Sequence, residues 1–401
     1  MRSPSRGAQS ERVSMKDDGH LRILHVSEVH WGGVVSLLDQ FLEQQREAGH
    51  EAHLLAPQGP ASWSGPRYHR WDFDRRRPGS MLTAMRQLRR TVKEFQPDVI
   101  HLHSFYAGFL GRLPFSLSWR GRVPVVYQPH AWSTSLYQGR MPVLAWVVGA
   151  LERRGASRTD ILVANCQDEV DHGVEIGVEV PARVLGVAVD LDRFRPRSSP
   201  DESARLRDLA RADGAGRLLL VLGRIGHQKG QDLLLPEWER STPGDAVLAL
   251  VGPGEPESVS GLAPTQWGRS IKYFPASDDV RGWLGSADML VLPSRYEGFA
   301  IVMAEAMSMG LPVVATAVNG AREAIEEGDE HPAGAVVPLG DMPALLREID
   351  HRLDDPRLLA DEGRAARVRA ELMFQPADVF RRLDAAYREA MHEVAHEGVS
   401  A

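Results

Sequence analysis

Residues 21–56 read LRILHVSEVHWGGVVSLLDQFLEQQREAGHEAHLLA, and this stretch decides the fold class. A short apolar run over 21–27 leads into the turn Trp31-Gly32-Gly33. A helical spacing of apolar residues follows over 34–48, and a second apolar run occupies 51–56. Strand, glycine turn, helix, strand is the opening unit of a parallel sheet. The alternation continues at 99–103 (VIHLH), 123–128 (VPVVYQ) and 161–165 (ILVAN). These runs alternate little with polar residues, as strands buried on both faces do. Residues 195–201 (RPRSSPD) carry two prolines and two serines and read as a linker. The pattern then restarts at 218–222, 246–251, 271–274, 289–292 and 312–316.

The fold class expected is therefore α/β, with two Rossmann-like domains, 21–195 and 196–375, facing across a cleft. In open α/β sheets ligands bind beyond the carboxyl ends of the strands. A helical spacing over 366–393 closes the chain, and 376–401 is expected as a C-terminal helix packing back toward the N-terminal domain. Residues 1–20 are polar without an apolar core, so they read as a disordered leader and not as a secretory signal.

Composition bounds the function classes. A length of 401 residues suggests two or three domains, and 43% hydrophobic with 25% charged residues is the balance of a soluble globular protein. The net charge of −7 argues against a general nucleic-acid binder. One cysteine, Cys166, excludes an internal disulfide and fits a reducing, cytoplasmic setting. At a strand end it reads as a small buried residue and not as a nucleophile. No run reaches the roughly 18 apolar residues of a membrane span. The best candidate, 141–151, is shorter, closes with Glu152-Arg153-Arg154, and reads as an ordinary helix.

Two segments carry the chemistry. Residues 290–315 read LVLPSRYEGFAIVMAEAMSMGLPVVA: a buried strand, a polar loop, then an apolar helix expected from about Phe299 to Gly310. Free backbone N–H groups at a helix start favour a phosphate, and Gly298 lets that backbone approach closely. Were 297–305 wholly helical, the carboxylates of Glu297 and Glu305 would lie about 12 Å apart, long enough to flank a pyrophosphate. A helix cap at Glu297 and a local ion pair at Glu305 would explain the same residues. Residues 221–234, VLGRIGHQKGQDLL, place Arg224 and Lys229 in one loop at a strand's carboxyl end. Two cations there suit a pyrophosphate, although solvated loop charges are the plain alternative.

Together these segments resemble the signature of retaining GT-B glycosyltransferases of family 4: two glutamates seven residues apart in E-G-F-x-x-x-x-x-E-A-M, and a G-R-x-x-x-x-K-G loop. The resemblance covers residues 21 to about 382, tightly in the C-terminal half. It implies that Glu297 binds donor-sugar hydroxyls, Glu305 binds the ribose, and the backbone of Ala300 and Ile301, after Gly298 and Phe299, holds donor phosphate. It implies that Arg224 and Lys229 grip the diphosphate and that Gly32 and Gly33 form the family's G-G loop. Gln128-Pro-His-Ala-Trp132 is similar to a family stretch whose histidine lies near the donor sugar, which brings in His130 as a catalytic residue beside Arg224, Lys229 and Glu297. Two departures stand out: Val187-Ala188 where relatives carry Asn-Gly, and Ala276 where they carry glycine. Without the resemblance, Trp31-Gly32-Gly33 is a tight turn, and the missing third glycine argues against a nicotinamide site.

The resemblance implies transfer of a sugar from a nucleotide sugar, with UDP expected as the nucleotide, to a hydroxyl acceptor with retention. It implies front-face attack without a metal and no cofactor beyond the donor substrate. Two other readings are a sugar-nucleotide epimerase or hydrolase on the same fold and a non-catalytic nucleotide-sugar-binding partner. The acceptor, a sugar, lipid-linked or small molecule, is not written in the sequence. Residues 63–77, with their aromatics and arginines, are expected to shape its pocket, and this stretch could touch an anionic membrane surface. His101 and His103 could bind a metal, a reading that the lack of neighbouring acids disfavours.

Overall fold

The computed structural model describes residues 19–77, 79–113, 122–137, 140–196, 200–210, 216–277, 280–327 and 331–400. Most of the expected leader, 1–18, and the centre of the expected linker, 197–199, lie outside the described residues. The linker is shorter than expected at its far side, because a helix, Pro200–Ala210, already begins at Pro200.

The first sheet contains β1 (Arg22–Ser27), β2 (Glu51–Ala56), β3 (Tyr68–Arg70), β4 (Val99–His103), β5 (Val125–Gln128), β6 (Ile161–Ala164) and β7 (Ala182–Val184), in the order β3-β2-β1-β4-β5-β6-β7. The second contains β8 (Leu218–Leu222), β9 (Val247–Val251), β10 (Ile271–Phe274), β11 (Met289–Leu292), β12 (Val313–Thr316) and β13 (Gly334–Val337), in the order β10-β9-β8-β11-β12-β13. Strand β1 pairs in parallel with β2 and β4, and β8 pairs in parallel with β9 and β11. Every residue of β4, β8 and β9 is buried, which explains why β8 and β9 run apolar without alternation. Around the second sheet, Leu219, Val221, Trp238, Leu248, Met289 and Val291 share one core.

The chain divides into two compact units, residues 1–128 with 155–162 and 383–401, and residues 129–154 with 163–382. The first unit contains a buried polar chain. His103 Nε2 lies 2.9 Å from His25 Nδ1, and His25 Nε2 lies 2.9 Å from the amide oxygen of Gln45. The Gln45 amide donates to the Tyr387 hydroxyl at 3.3 Å, which meets His101 Nδ1 at 2.8 Å. The ligand-capable nitrogens of His25, His101 and His103 lie within 4.8 Å of one another. The three rings are fully buried, and burial pushes His25 down to about 4.

Within the stretch 63–77, the Trp63 and Trp71 rings are buried, donating to Asp39 at 2.7 Å and to the Ala84 carbonyl at 2.9 Å. Two expectations change. The closing helical pattern is two helices, Pro356–Met373 and Pro376–Ser400, because Pro376 has no N–H to continue the first. The helix after β11 runs only over Ile301–Ser308, so 297–300 is loop and the spacing computed for a continuous helix does not apply.

Candidate functional site

Strands β8 and β11 are neighbours in register (Met289 with Leu219, Leu290 with Leu220), so their carboxyl ends open side by side. This is where the strand order reverses, the place an open α/β sheet offers a ligand. The loop after β8 closes on a short 3-10 turn, His227–Lys229, and then Gly230 at φ 68. A Cβ at Gly230 would stand 2.0 Å from the Pro293 carbonyl, so only glycine lets this loop lie on the one after β11.

Hydrogen bonds then fix the two loops together. The Arg295 N–H donates to the Gln228 carbonyl at 2.8 Å, and its guanidinium grips Asp232 through two contacts of 2.6 and 2.7 Å. That pairing holds the Asp232 carboxyl below its usual range. The Gln231 amide donates to the Arg224 carbonyl at 3.1 Å while its oxygen accepts from Gly226 N–H at 3.2 Å. The outcome is one cluster. Lys229 Nζ lies 2.8 Å from Glu297 Oε1, the Ser294 hydroxyl donates to the same oxygen at 2.9 Å, and the Gln228 amide donates to Oε2 at 3.0 Å. The carboxylate is only 7% exposed, so this charge-assisted set is largely shielded from water. Thr316 braces it from β12, donating to the Ser294 carbonyl at 2.6 Å. Arg224 is exposed beside Tyr296, whose hydroxyl burial and Glu297 push up and Arg224 pulls back.

Beyond Glu297 the chain runs against another segment of the same unit. A Cβ on Gly298 would fall 1.9 Å from the His130 carbonyl oxygen, which makes glycine obligatory there. On the other side of that contact His130 adopts φ 57 and Ala131 φ 158, conformations L residues rarely hold. Desolvation pushes the His130 imidazole down to about 3, so it is neutral at physiological pH. The Cys166 thiol donates to the Gly298 carbonyl at 3.4 Å, and burial pushes its pKa up, so it is a packing residue.

The Phe299 side chain packs edge-on against Phe374 with 5.9 Å between ring centroids. Ala300 is the N-cap of the helix Ile301–Ser308 and supplies no side-chain cap. The first N–H groups of that helix therefore have no side-chain cap from their N-cap residue, an arrangement that suits an anion. Glu305 sits half-buried in the helix; desolvation pushes its carboxyl up to about 7, against the pull of Arg193. Gly32 and Gly33 lie in the other unit, just past β1, where Gly32 at φ 76 precedes the helix Gly33–Glu47.

Comparison with known proteins agrees with this geometry. The family described as Glycosyltransferase Family 4 matches residues 31–193, and the one described as Glycosyl transferases group 1 matches residues 216–355. The D-inositol 3-phosphate glycosyltransferase of Nocardioides sp. is 30% identical over 352 residues, covering 78% of this chain and 74% of that protein. The alpha-D-kanosaminyltransferase of Streptomyces kanamyceticus is 28% identical over 293 residues, covering 70% and 74%. The chain belongs to the GT-B glycosyltransferases. Among solved structures, sucrose-phosphate synthase from Thermosynechococcus elongatus has the same fold, with a TM-score of 0.76 at 19% identity over 93% of this chain and all, 100%, of that one. Anabaena HepE, solved in complex with UDP and glucose, superposes with a TM-score of 0.75 at 19% identity, covering 91% and 98%.

Within this glycosyltransferase the structure brings Arg224, Lys229, Glu297 and Gly298 onto two bonded loops and sets His130 against Gly298. Sequence reasoning missed Gln228, Ser294 and the Arg295–Asp232 pair. Nothing in a glutamine or a serine beside a proline marks it as a partner of a glutamate 69 or 3 residues away. Arg295 did carry a signal, as the cation in the loop that holds Glu297.

Proposed function

We propose that this glycosyltransferase moves a sugar from a UDP-sugar to a hydroxyl acceptor with retention at the anomeric carbon and without a metal. The observation that carries the reading is the Lys229–Glu297 pair, 2.8 Å apart, beside an uncapped helix start. Arg224, Lys229 and the N–H groups of Ala300 and Ile301 hold the diphosphate, and their charge takes the place of a divalent ion. Glu297 orients Lys229 and accepts hydrogen bonds from donor-sugar hydroxyls, while Glu305 receives the ribose. In the transfer step the acceptor oxygen bonds to the anomeric carbon, the bond from that carbon to the phosphate oxygen breaks, and the acceptor proton passes to the departing phosphate. His130, neutral, hydrogen-bonds the sugar without carrying charge.

The uridine nucleotide is supported by the HepE complex with UDP and glucose, and hexosyl transfer by the names of the relatives above. The test is a donor screen by thermal shift followed by product analysis. UDP-sugars should raise the melting temperature more than GDP- or ADP-sugars, and the product should keep the donor's anomeric configuration. An inverted product, or a rate abolished by EDTA, would overturn the corresponding part. Donor consumed without acceptor at an equal rate would favour a hydrolase or epimerase instead.

A further inference from the structure

Most of the hydrogen-bonding capacity of Glu297 is already taken up inside the protein. An ionised carboxylate offers about four acceptor sites, two on each oxygen. On Oε1 both are occupied, by the Lys229 ammonium at 2.8 Å and the Ser294 hydroxyl at 2.9 Å. On Oε2 one is occupied, by the Gln228 amide at 3.0 Å. Among the described residues no other hydrogen bond or ion pair reaches this carboxylate, so one site remains, on Oε2.

The aim of Gln228 is itself fixed. Its carbonyl accepts from the Arg295 N–H at 2.8 Å, and the neighbouring His227 carbonyl accepts from the Arg295 guanidinium at 2.7 Å. Asp232 pins that guanidinium through its own carboxylate. The backbone at 227–228 is thus held from residue 295, two positions before Glu297, and the amide and the carboxylate share one frame. The last torsion of a glutamate is soft, and here turning it would break the Gln228 and Ser294 bonds together.

We propose, on the UDP-sugar reading above, that Gln228 is a positioning residue: it fixes Glu297 so that the single acceptor site left on Oε2 meets one hydroxyl of the donor sugar. The Gln228 amide and the Lys229 ammonium sit on different oxygens of the carboxylate. Gln228 therefore governs the sugar contact and leaves the diphosphate contact alone. A site built around one hydroxyl rejects a sugar that lacks it, because the buried acceptor is then left unpaired.

The test needs no acceptor. From a panel of UDP-glucose, UDP-galactose and UDP-N-acetylglucosamine, the donor that raises the melting temperature most is titrated calorimetrically beside UDP. The ratio of the two affinities isolates the sugar's contribution. Gln228 is half-buried in a loop, so Gln228→Leu should fold. It should lower the ratio about tenfold, the size of one lost hydrogen bond to a charged group, while UDP binds as to the parent. Glu297→Gln should lower the ratio as well, and adding Gln228→Leu to it should change nothing further. Donors lacking one hydroxyl at a time should show a Glu297-dependent loss at one position only. The proposal is overturned by an unchanged ratio in Gln228→Leu, by additive effects in the double variant, or by Glu297-dependent losses at two hydroxyls. It is equally overturned if UDP affinity falls in step with that of the sugar nucleotide, the mark of a merely structural role. A parent that binds none of the panel, or a Glu297→Gln variant with the parent's ratio, would instead remove the donor reading, and this role of Gln228 with it.

Discussion

The two units solve the same helix-end problem in opposite ways. Their sheets share the order third-second-first-fourth from the edge inward, so each has a helix starting after its fourth strand beside the loop from its first. In the first unit the loop after β1 sends Glu28 onto that helix, Ser104–Gly111, accepting from Tyr106 N–H at 2.9 Å and Ala107 N–H at 3.0 Å. A carboxylate of the protein itself fills the anion position. In the second unit the equivalent loop carries Arg224 and Lys229, and the helix Ile301–Ser308 begins with no side-chain cap. One scaffold thus neutralises a helix dipole internally in one copy and leaves the helix start uncapped in the other, where the proposed function puts the donor's phosphate. The Rossmann-like topology offers the position, and the loop after the first strand decides whether it is a structural joint or a binding site.

The largest expected effect tests that contrast directly. Lys229→Met removes the half-buried cation paired with Glu297 and should lower kcat/KM for transfer by about 100-fold or more, with folding retained by circular dichroism. Full activity in that variant would show that the second unit's loop is not the diphosphate site. Next comes Gly298→Ala, whose Cβ would clash with the His130 carbonyl 1.9 Å away. Since backbone must move, a stability loss of about 2–4 kcal/mol, read by urea unfolding, should accompany a fall in transfer rate. A neutral outcome would mean that the 297–300 loop does not rest on residues 130–131.

A smaller effect is expected at the capped helix. Glu28→Gln should cost about 1 kcal/mol of stability through the lost carboxylate at the helix start, and should leave the donor-induced rise in melting temperature unchanged. If it instead abolished donor binding, the contrast between the units would collapse. The smallest effect is a pH slope. His25, pushed down to about 4 by burial, stays neutral in the folded chain while the unfolded chain takes up a proton near pH 6.5. Its contribution is therefore intact above pH 6.5 and lost as pH falls from there toward 4. His25→Gln should be less stable at pH 7 yet lose less on acidification, as read by chemical unfolding at pH 7 and pH 5. An unchanged slope would place the acid sensitivity in other groups, His53 and His130 among them.

Much of this was legible because buried parallel strands write themselves as unbroken apolar runs. Strands β1, β2, β4 and β8 to β12 fall within two residues of their sequence positions. The short β3 and β7 lack such runs and are only partly buried, so pattern alone does not raise them. Nothing in the pattern of 63–77 tells a buried aromatic from an exposed one, and only packing shows that the Trp63 and Trp71 rings are interior.

What the sequence determined by itself is local: which runs are strands, which loops carry Arg224, Lys229 and Glu297, and that a helix carrying Glu305 follows β11. Those follow from spacing and residue chemistry within a few turns of chain. What only the tertiary structure decided is which groups meet. Lys229 bonds to Glu297 because β8 and β11 are neighbours in register, and Gly298 lies against His130 across 168 positions of chain. Trp146 is exposed and Trp63 is not because packing, which sums contacts from distant segments, assigns each side chain to water or to the core.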